Sequence, residues 1–246
     1  MIYLNSFNKT FISSKLEDVS LSSGFTTRET GDSRNIEIIL SSLRINQIIF
    51  KKLVVAEQIH SSNVEYYETH DNQIVEIIPE TDGVVTSEKG VVIAVRTADC
   101  IPILYADINA GIIAISHNGW RGTLKKISAK IVDKMAEHGA KREKIIAVIG
   151  PGIGLCCYDV DEERYYTFME EFESDLGAFT MRGGRRHLNL TKMNYEILKM
   201  AGIKTEHIDF FPFCTSCDKD KFYSYRRDHK KHPEKFGKMV SYIVRN

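Results

Sequence analysis

Long apolar runs are missing from this sequence, and none approaches the about 20 residues that a membrane-spanning helix needs. The first residues lack a basic start followed by an apolar stretch, so no signal peptide is predicted. Lys and Arg together number 33, as do Asp and Glu, so no global field favours nucleic acid or an anionic membrane. The sequence therefore predicts neither partner, and any anion site must be local.

Cysteine and proline are also scarce. Five clustered cysteines, an odd number, argue against a disulfide framework and predict reduced thiols in the cytoplasm. The chain has only five prolines, none of them clustered, and it contains no internal repeat or low-complexity linker. Hydrophobic residues make up 43%, enough for a full core. These features predict one cytoplasmic domain over residues 1–246.

Glycine-rich nucleotide-binding motifs are absent, since no G-x-G-x-x-G opens a helix and no G-x-x-x-x-G-K-[ST] occurs. Apolar runs predict strands over residues 47–55, 90–97, 111–116, 144–150 and 207–211. Helical periodicity predicts helices over residues 124–138, 191–201 and, more weakly, 162–173. Several strands follow each other directly, which favours an α+β architecture with mixed sheets over a doubly wound parallel sheet.

Metal-ligating residue types stand at the ends of three predicted strands: His60, Cys100 and His117. One thiolate and two imidazoles suit Zn²⁺, with copper as the alternative, and leave a fourth position for water or substrate. Each residue also has a structural interpretation, as a solvated histidine or a small buried cysteine. His60 and Cys100 are 40 residues apart, and Cys100 and His117 are 17 apart. These separations do not decide between the two interpretations.

Two further segments have both functional and structural interpretations. The segment 150-GPGIGLCCYDV-160 could cradle an anion or form a tight turn. The C-x-x-C at residues 214–217 cannot close a four-ligand zinc site alone, no second pair is expected, and a redox dithiol has weak support. Arg226 and Arg227, which follow it, could pair with a phosphate or with neighbouring aspartates.

Seven motifs occur in one order along the chain: QIHSSNV, DGVVT, RTADCIPILYAD, AISHNGWRGT, IGPGIGLCCYDV, LNLTKMN and CTSCDKDKFYSYRRD. Together they resemble the YfiH family, also called the laccase-domain or multicopper polyphenol oxidoreductase family, over about residues 24–239. The resemblance implies a single α/β domain with layered sheets between helices. It also implies a metal site formed by His60, Cys100 and His117. Ser61 and Asn118 depart from the common motifs, and the segment after 225-YRRD-228 is longer than usual.

The resemblance implies purine nucleoside phosphorolysis, acting on adenosine, inosine, guanosine or S-methyl-5'-thioadenosine with phosphate, together with deamination of adenosine. It also leaves copper-dependent phenol oxidation and peptidoglycan-precursor editing as alternatives. A multicopper oxidase conventionally uses paired His-x-His ligands, whereas the eight histidines here include no such pair. A non-catalytic protein with a structural metal is a further alternative, since another cysteine could supply a fourth ligand.

Several other residues receive hypothetical roles in this activity. Asp99 is expected to act as an acid/base group or to orient a ligand imidazole. Arg121 is expected to act in catalysis through contact with substrate or phosphate, and Arg28 and Arg226 are expected to bind substrate or phosphate. Trp120 could stack on a purine or anchor core packing. The predicted partners are thus purine nucleosides and phosphate, and the predicted cofactor is zinc.

Overall fold

The computed structural model describes residues 1–17, 20–172, 176–229 and 236–246. Two of its three sheets are mixed and the third is antiparallel, which confirms the predicted α+β class. The seven-stranded first sheet has the order β1 (Ile2–Asn5), β2 (Thr10–Ser13), β3 (Leu21–Thr26), β16 (Met239–Arg245), β8 (Val91–Thr97), β4 (Lys52–Ala56) and β6 (Val75–Ile78).

The other two sheets are smaller. The second has the order β15 (Ile208–Phe210), β11 (Ile146–Ile149), β9 (Ile101–Asp107), β10 (Ile112–Asn118), β7 (Gly83–Thr86) and β5 (Val64–Tyr66). The third has the order β12 (Asp159–Val160), β14 (Arg185–Leu188) and β13 (Phe179–Arg182).

The described α-helices are α1 (Ile36–Ile45), α2 (Trp120–Leu124), α3 (Ile127–Glu137), α4 (Glu162–Phe172) and α5 (Leu190–Met200). Short 3₁₀ turns cover Arg28–Thr30, Arg142–Lys144 and Thr205–His207, and a π-type turn covers Tyr225–His229. Within the described ranges, no helix combines the length and the apolarity that crossing a membrane requires.

The two large sheets pack face to face between helices. Successive residues of β9 alternate: Ile103 and Tyr105 pack in one cluster with α3 and α5, whereas Leu104 and Ala106 pack against the first sheet. The far face of the first sheet packs against α1 in a third cluster. Because the central strands are buried on both faces, they read in sequence as continuous apolar runs. The order of layers is α1, first sheet, second sheet, then α3 and α5.

Two predicted elements differ from the structure. The strand predicted over residues 47–55 begins only at Lys52, because Gln47 has a φ of +56° and Ile49 lies 87% exposed on the surface. The helix predicted over residues 124–138 is two helices, α2 and α3, separated at Lys126, whose φ of +55° is left-handed. The first helix begins right after Gly119, beside the strand end that carries His117.

The remaining helix predictions agree with the structure. Helix α5 begins after Asn189, whose side chain accepts a hydrogen bond from the backbone N–H of Lys192, and it ends before Gly202, with a φ of +96°. Helix α4 matches the prediction over residues 162–172, and residue 173 lies outside the described residues. Most of the unusually long segment after Asp228, residues 230–235, lies outside them too.

Candidate metal centre and substrate pocket

Three strand ends converge where the two large sheets meet. His60 lies in the loop after β4, Cys100 in the turn between β8 and β9, and His117 near the end of β10. Their candidate ligand atoms all lie within 4.8 Å of one another. The two imidazole rings stand edge to face, with centroids 4.9 Å apart. The structure thus brings together the three residues that the sequence selected separately.

Asp82, immediately before β7, organises both histidines. Its carboxylate is fully buried and accepts a hydrogen bond from Nδ1 of His117 at 2.7 Å. It also accepts bonds from the backbone N–H groups of Ile59, His60 and Ser61 and from the Ser61 hydroxyl. These bonds hold the loop in which His60 adopts a left-handed φ of +60°. Sequence reasoning missed Asp82, although an acidic residue directly before a buried strand was a usable signal.

The electrostatics of the centre favour a thiolate. Burial alone would raise the pKa of the Cys100 thiol, but His117 and His60 stabilise its anion and bring the pKa to about 6. Burial alone would lower the pKa of His117, whereas Cys100 and Asp82 raise it to about 9. The pKa of Asp82 is lowered despite its burial, because His117 and Ser61 donate hydrogen bonds to it. These opposite shifts favour a Cys100 thiolate beside a protonated His117 in the metal-free protein.

The donor set fits a zinc ion. A thiolate and two imidazoles are typical zinc ligands, and because Nδ1 of His117 donates its hydrogen bond to Asp82, Nε2 is left to ligate. A Cβ atom at Gly119 would lie 3.1 Å from both the Cys100 sulfur and Cδ2 of His60, so glycine keeps the centre open. Among the residues described, the other four cysteines form a separate group. Three protein ligands with an open fourth position are typical of catalytic rather than structural zinc.

A cavity of about 500 Å³ lies over the three ligands. Its volume falls within the range of small-molecule sites. Tyr158, Trp120, Tyr225 and Phe236 contribute aromatic side chains to its walls, and Ile153 adds apolar surface. Tyr225 and Phe236 stand edge to face, with ring centroids 5.6 Å apart. The cavity thus combines ligand-forming residues with aromatic surfaces of the kind that bind planar rings.

Five cationic side chains also line this cavity: Arg96, Arg121, Arg164, Arg226 and Lys238. The guanidinium groups of Arg121 and Arg164 lie over the Trp120 ring, 4.5 and 4.3 Å from its centroid. Trp120 also packs against the core cluster formed by α3, α5 and the second sheet. The indole thus supports two cations of the cavity wall while anchoring α2.

Arg96 and Lys238 are two partly buried cations of the cavity wall, and the charge of Asp32 acts on both of them. Among the described residues, neither head group has an ion-pair partner. Burial lowers the pKa of both groups, and Arg96 lowers that of Lys238 further. Two partly buried cations that repel each other create a local site for an anion, in a protein whose overall charge is balanced. Sequence reasoning missed both residues.

Asp99 lies on the cavity wall, but its hydrogen bonds do not fit the expected role of orienting a ligand imidazole. Its carboxylate, 7% exposed, accepts hydrogen bonds from the hydroxyls of Thr215 and Ser224 and from the backbone N–H of Arg226. Burial raises its pKa, although these donors act against the shift. Within the described structure, Asp82 and not Asp99 orients a ligand imidazole. The acid/base role stays a prediction.

Two of the three arginines predicted to contact substrate or phosphate line the cavity, and the third does not. Arg121 and Arg226 line the cavity, but the guanidinium of Arg226 already pairs with Asp159 and donates to the carbonyl of Cys157. Arg28 is not among the lining residues, because its guanidinium donates to the carbonyl of Lys219 at 2.6 Å and lies over the Tyr223 ring. Its placement does not fit the expected phosphate contact.

Known proteins resemble this chain over most of its length. Purine nucleoside phosphorylase RP494 of Rickettsia prowazekii is 30% identical over 243 residues, which cover 99% of this chain and 96% of the relative. Adenosine deaminase RL5, from an unknown prokaryotic organism, is 36% identical over 183 residues, covering 71% and 70%. The crystal structure of the hypothetical protein YfiH of Bacillus licheniformis superposes with a TM-score of 0.85 at 27% identity, covering 100% of this chain and 99% of that one.

The family profile described as multi-copper polyphenol oxidoreductase laccase matches residues 17–246. That range includes all three candidate ligands, Asp82 and every lining residue of the cavity. The sequence match, the relatives and the structural likeness agree with the motif-based resemblance. The chain therefore belongs to the YfiH family of laccase-domain proteins.

Proposed function

We propose that this protein is a zinc-dependent purine nucleoside phosphorylase that also deaminates adenosine. The observation that carries the proposal is one cavity in which His60, Cys100 and His117 lie beside Arg96 and Lys238, two cations that form no ion pair with any residue the structure describes. Phosphorolysis needs a cationic site for phosphate, and deamination needs a Lewis acid beside the purine. The names of the relatives support both reactions.

The cations and the aromatic rings divide the cavity between the two substrates. Arg96 and Lys238 bind phosphate, since an anion there relieves the repulsion between them. Arg121, four residues after His117, contributes a further positive charge to the cavity. Tyr225 and Phe236 contact the purine, and Trp120, whose ring already carries two guanidinium groups, holds those groups in place. The ribose then lies between the base and the phosphate.

The chain's own groups promote the phosphorolysis step. A phosphate oxygen forms a bond to C1' of the ribose while the bond from C1' to the purine nitrogen breaks. The pocket cations stabilise the phosphate in the orientation needed for attack. Asp99, whose pKa is raised by burial, donates a proton to the departing base and is reprotonated from solvent. His60, Cys100 and His117 would hold the zinc ion, which would supply Lewis acidity when bound.

Product analysis on a nucleoside panel tests the proposal. Pure protein with adenosine and phosphate should yield adenine and ribose 1-phosphate, and without phosphate it should yield inosine and ammonia. Cys100→Ala, which removes the thiolate ligand, should abolish both reactions while the chain stays folded by circular dichroism. No product with the wild type, or equal product from Cys100→Ala, would reject the proposal. Inosine, guanosine and S-methyl-5'-thioadenosine in the panel would rank the substrates.

Metal analysis separates this proposal from the oxidase that the family description suggests. A multicopper oxidase needs several copper ions and many histidine ligands. In the part of the chain that the structure describes, only one ligand group contains histidine. Zinc in purified, active protein, with no phenol oxidation after copper loading, is the expected result. Several copper ions per chain together with phenol oxidation would favour the oxidase.

A further inference from the structure

Four cysteines from two distant segments meet away from the first centre. Cys156 and Cys157 lie in the loop between β11 and β12, whereas Cys214 and Cys217 lie in the turns after β15. Their sulfur atoms all lie within 4.8 Å of one another. The expectation that the C-x-x-C has no second pair is therefore wrong. The adjacent cysteines at 156 and 157 supply that pair across 57 residues of chain.

The distances between the sulfur atoms distinguish a metal site from a disulfide. Cys217 lies 3.4 Å from the sulfur of Cys156 and 3.4 Å from that of Cys157. A disulfide would need about 2.05 Å. Four sulfur atoms around one zinc ion, each at about 2.3 Å from it, stand about 3.8 Å apart. All four thiols are free; the two distances at Cys217 are about 0.4 Å shorter than this tetrahedral value, and no sulfur lies more than 4.8 Å from another.

Backbone hydrogen bonds hold the two segments in this arrangement. The carbonyl of Cys214 accepts bonds from the N–H groups of Cys217 and Asp218, which folds the C-x-x-C into a tight turn. Gly154 donates its N–H to the sulfur of Cys214 at 3.1 Å, which joins the loop between β11 and β12 to the C-x-x-C turn. Gly152 accepts a bond from the N–H of Thr215 at 3.0 Å and so ties the segments together. These hydrogen bonds, and not contacts between the side chains alone, bring the four cysteines together.

We propose that Cys156, Cys157, Cys214 and Cys217 bind one Zn²⁺ ion in a closed four-thiolate site, separate from the centre at His60. Four thiolates satisfy the tetrahedral preference of zinc and leave no position for substrate, as in structural sites. The site also accepts other thiophilic divalent cations, such as Co²⁺ and Cd²⁺. Its occupancy does not depend on the proposed enzymatic activity.

The bound ion would fix one wall of the substrate cavity. The cysteine loop also carries Ile153 and Tyr158, which line the cavity, and the carbonyl of Cys157 accepts a bond from Arg226. In the other segment, Thr215 donates its hydroxyl to Asp99, the residue before Cys100. A metal that joins the two segments therefore stabilises the positions of these cavity residues. Its loss is expected to loosen this wall.

Metal content of the full-length protein, purified under reducing conditions, tests the proposal. Wild type should carry two zinc ions per chain, and Cys100→Ala should carry one. Cys217→Ser should also carry one, and the double variant should carry none. Cys100→Ala thus serves as the reciprocal control, because it removes the other centre and keeps all four cysteines of this site. If Cys217→Ser fails to fold, Cys100→Ala alone decides the question.

Cobalt spectroscopy identifies the ligands. Metal-free Cys100→Ala loaded with one equivalent of Co²⁺ should show intense sulfur-to-metal charge-transfer bands together with tetrahedral d–d bands. Cys100→Ala that binds neither zinc nor cobalt while its four thiols titrate as reduced would overturn the proposal. An intact mass that is two units lower per disulfide, in freshly purified protein without bound metal, would show that the cysteines form disulfides. That result would also overturn the proposal.

Discussion

The Asp82 carboxylate accepts a 2.7 Å hydrogen bond from Nδ1 of His117, 35 residues further along the chain. The same carboxylate receives four more bonds from the loop that carries His60. One buried anion thereby fixes the tautomer of one candidate ligand and the backbone of the other. Such outer groups orient a metal ligand and raise its basicity.

Asp82→Asn is expected to weaken zinc binding at this centre by about 10- to 100-fold, because the amide cannot accept all five bonds and places an N–H₂ group among donors. Competition with a chromophoric chelator measures the affinity. Ser61→Ala is the matched control, since it removes one hydroxyl bond and keeps the bond to His117. Its zinc affinity should fall by less than that of Asp82→Asn. Wild-type affinity in Asp82→Asn would contradict the orienting role.

Arg96→Gln and Lys238→Met should each raise the KM for phosphate by roughly ten- to a hundredfold, because each removes a charge-assisted contact. Deamination of adenosine, which uses no phosphate, should change far less in the same variants. Arg28→Gln is the control, since that guanidinium lies outside the cavity lining and should leave the KM for phosphate unchanged. A larger effect from Arg28→Gln than from Arg96→Gln would reverse the assignment.

Zinc affinity at the His60 centre should rise with pH. In the metal-free protein the pKa of Cys100 is about 6 and that of His117 about 9, so between these values the pair keeps one proton. Zinc must displace that proton, and affinity should rise about tenfold per pH unit in this window. Below about pH 6 the pair holds two protons, so the affinity should rise more steeply with pH. Above about pH 9 the pair holds none and no longer contributes to the pH dependence of the affinity. Calorimetry in buffers of different ionisation enthalpy counts the released protons.

The difference between wild type and Cys100→Ala isolates this centre from the four-cysteine site in that measurement. An affinity that stays constant between about pH 6 and pH 9 would show that the two residues do not share a proton there.

Asp99→Asn should lower kcat for phosphorolysis by about a hundredfold or more and remove one ionisation from the pH–rate profile. The reason is that the amide keeps the volume of the carboxyl but transfers no proton. Thr215→Val is the control: it removes one donor to the carboxylate, so the ionisation should remain and move to higher pH. An unchanged profile in Asp99→Asn, with loss of stability alone, would leave Asp99 a positioning residue.

Much of the fold can be predicted from local sequence. Apolar runs give β8 and β10, and the helical period with its terminal glycines gives α3 and α5, because both signals depend on residues close in the chain. The break at Lys126 escapes prediction, since its left-handed backbone does not interrupt the apolar period. The late start of β4 escapes for the same kind of reason: Ile49 is apolar but exposed.

The sequence by itself determined the family motifs, the three candidate ligands and their positions at strand ends. Only the tertiary structure decided which other side chains meet them. The pairing of Asp82 with His117, the convergence of Arg96 with Lys238 and the union of two cysteine pairs all join segments that are distant in the chain. Such contacts depend on strand register and on how the sheets stack, and neither is encoded in the local period of apolar residues.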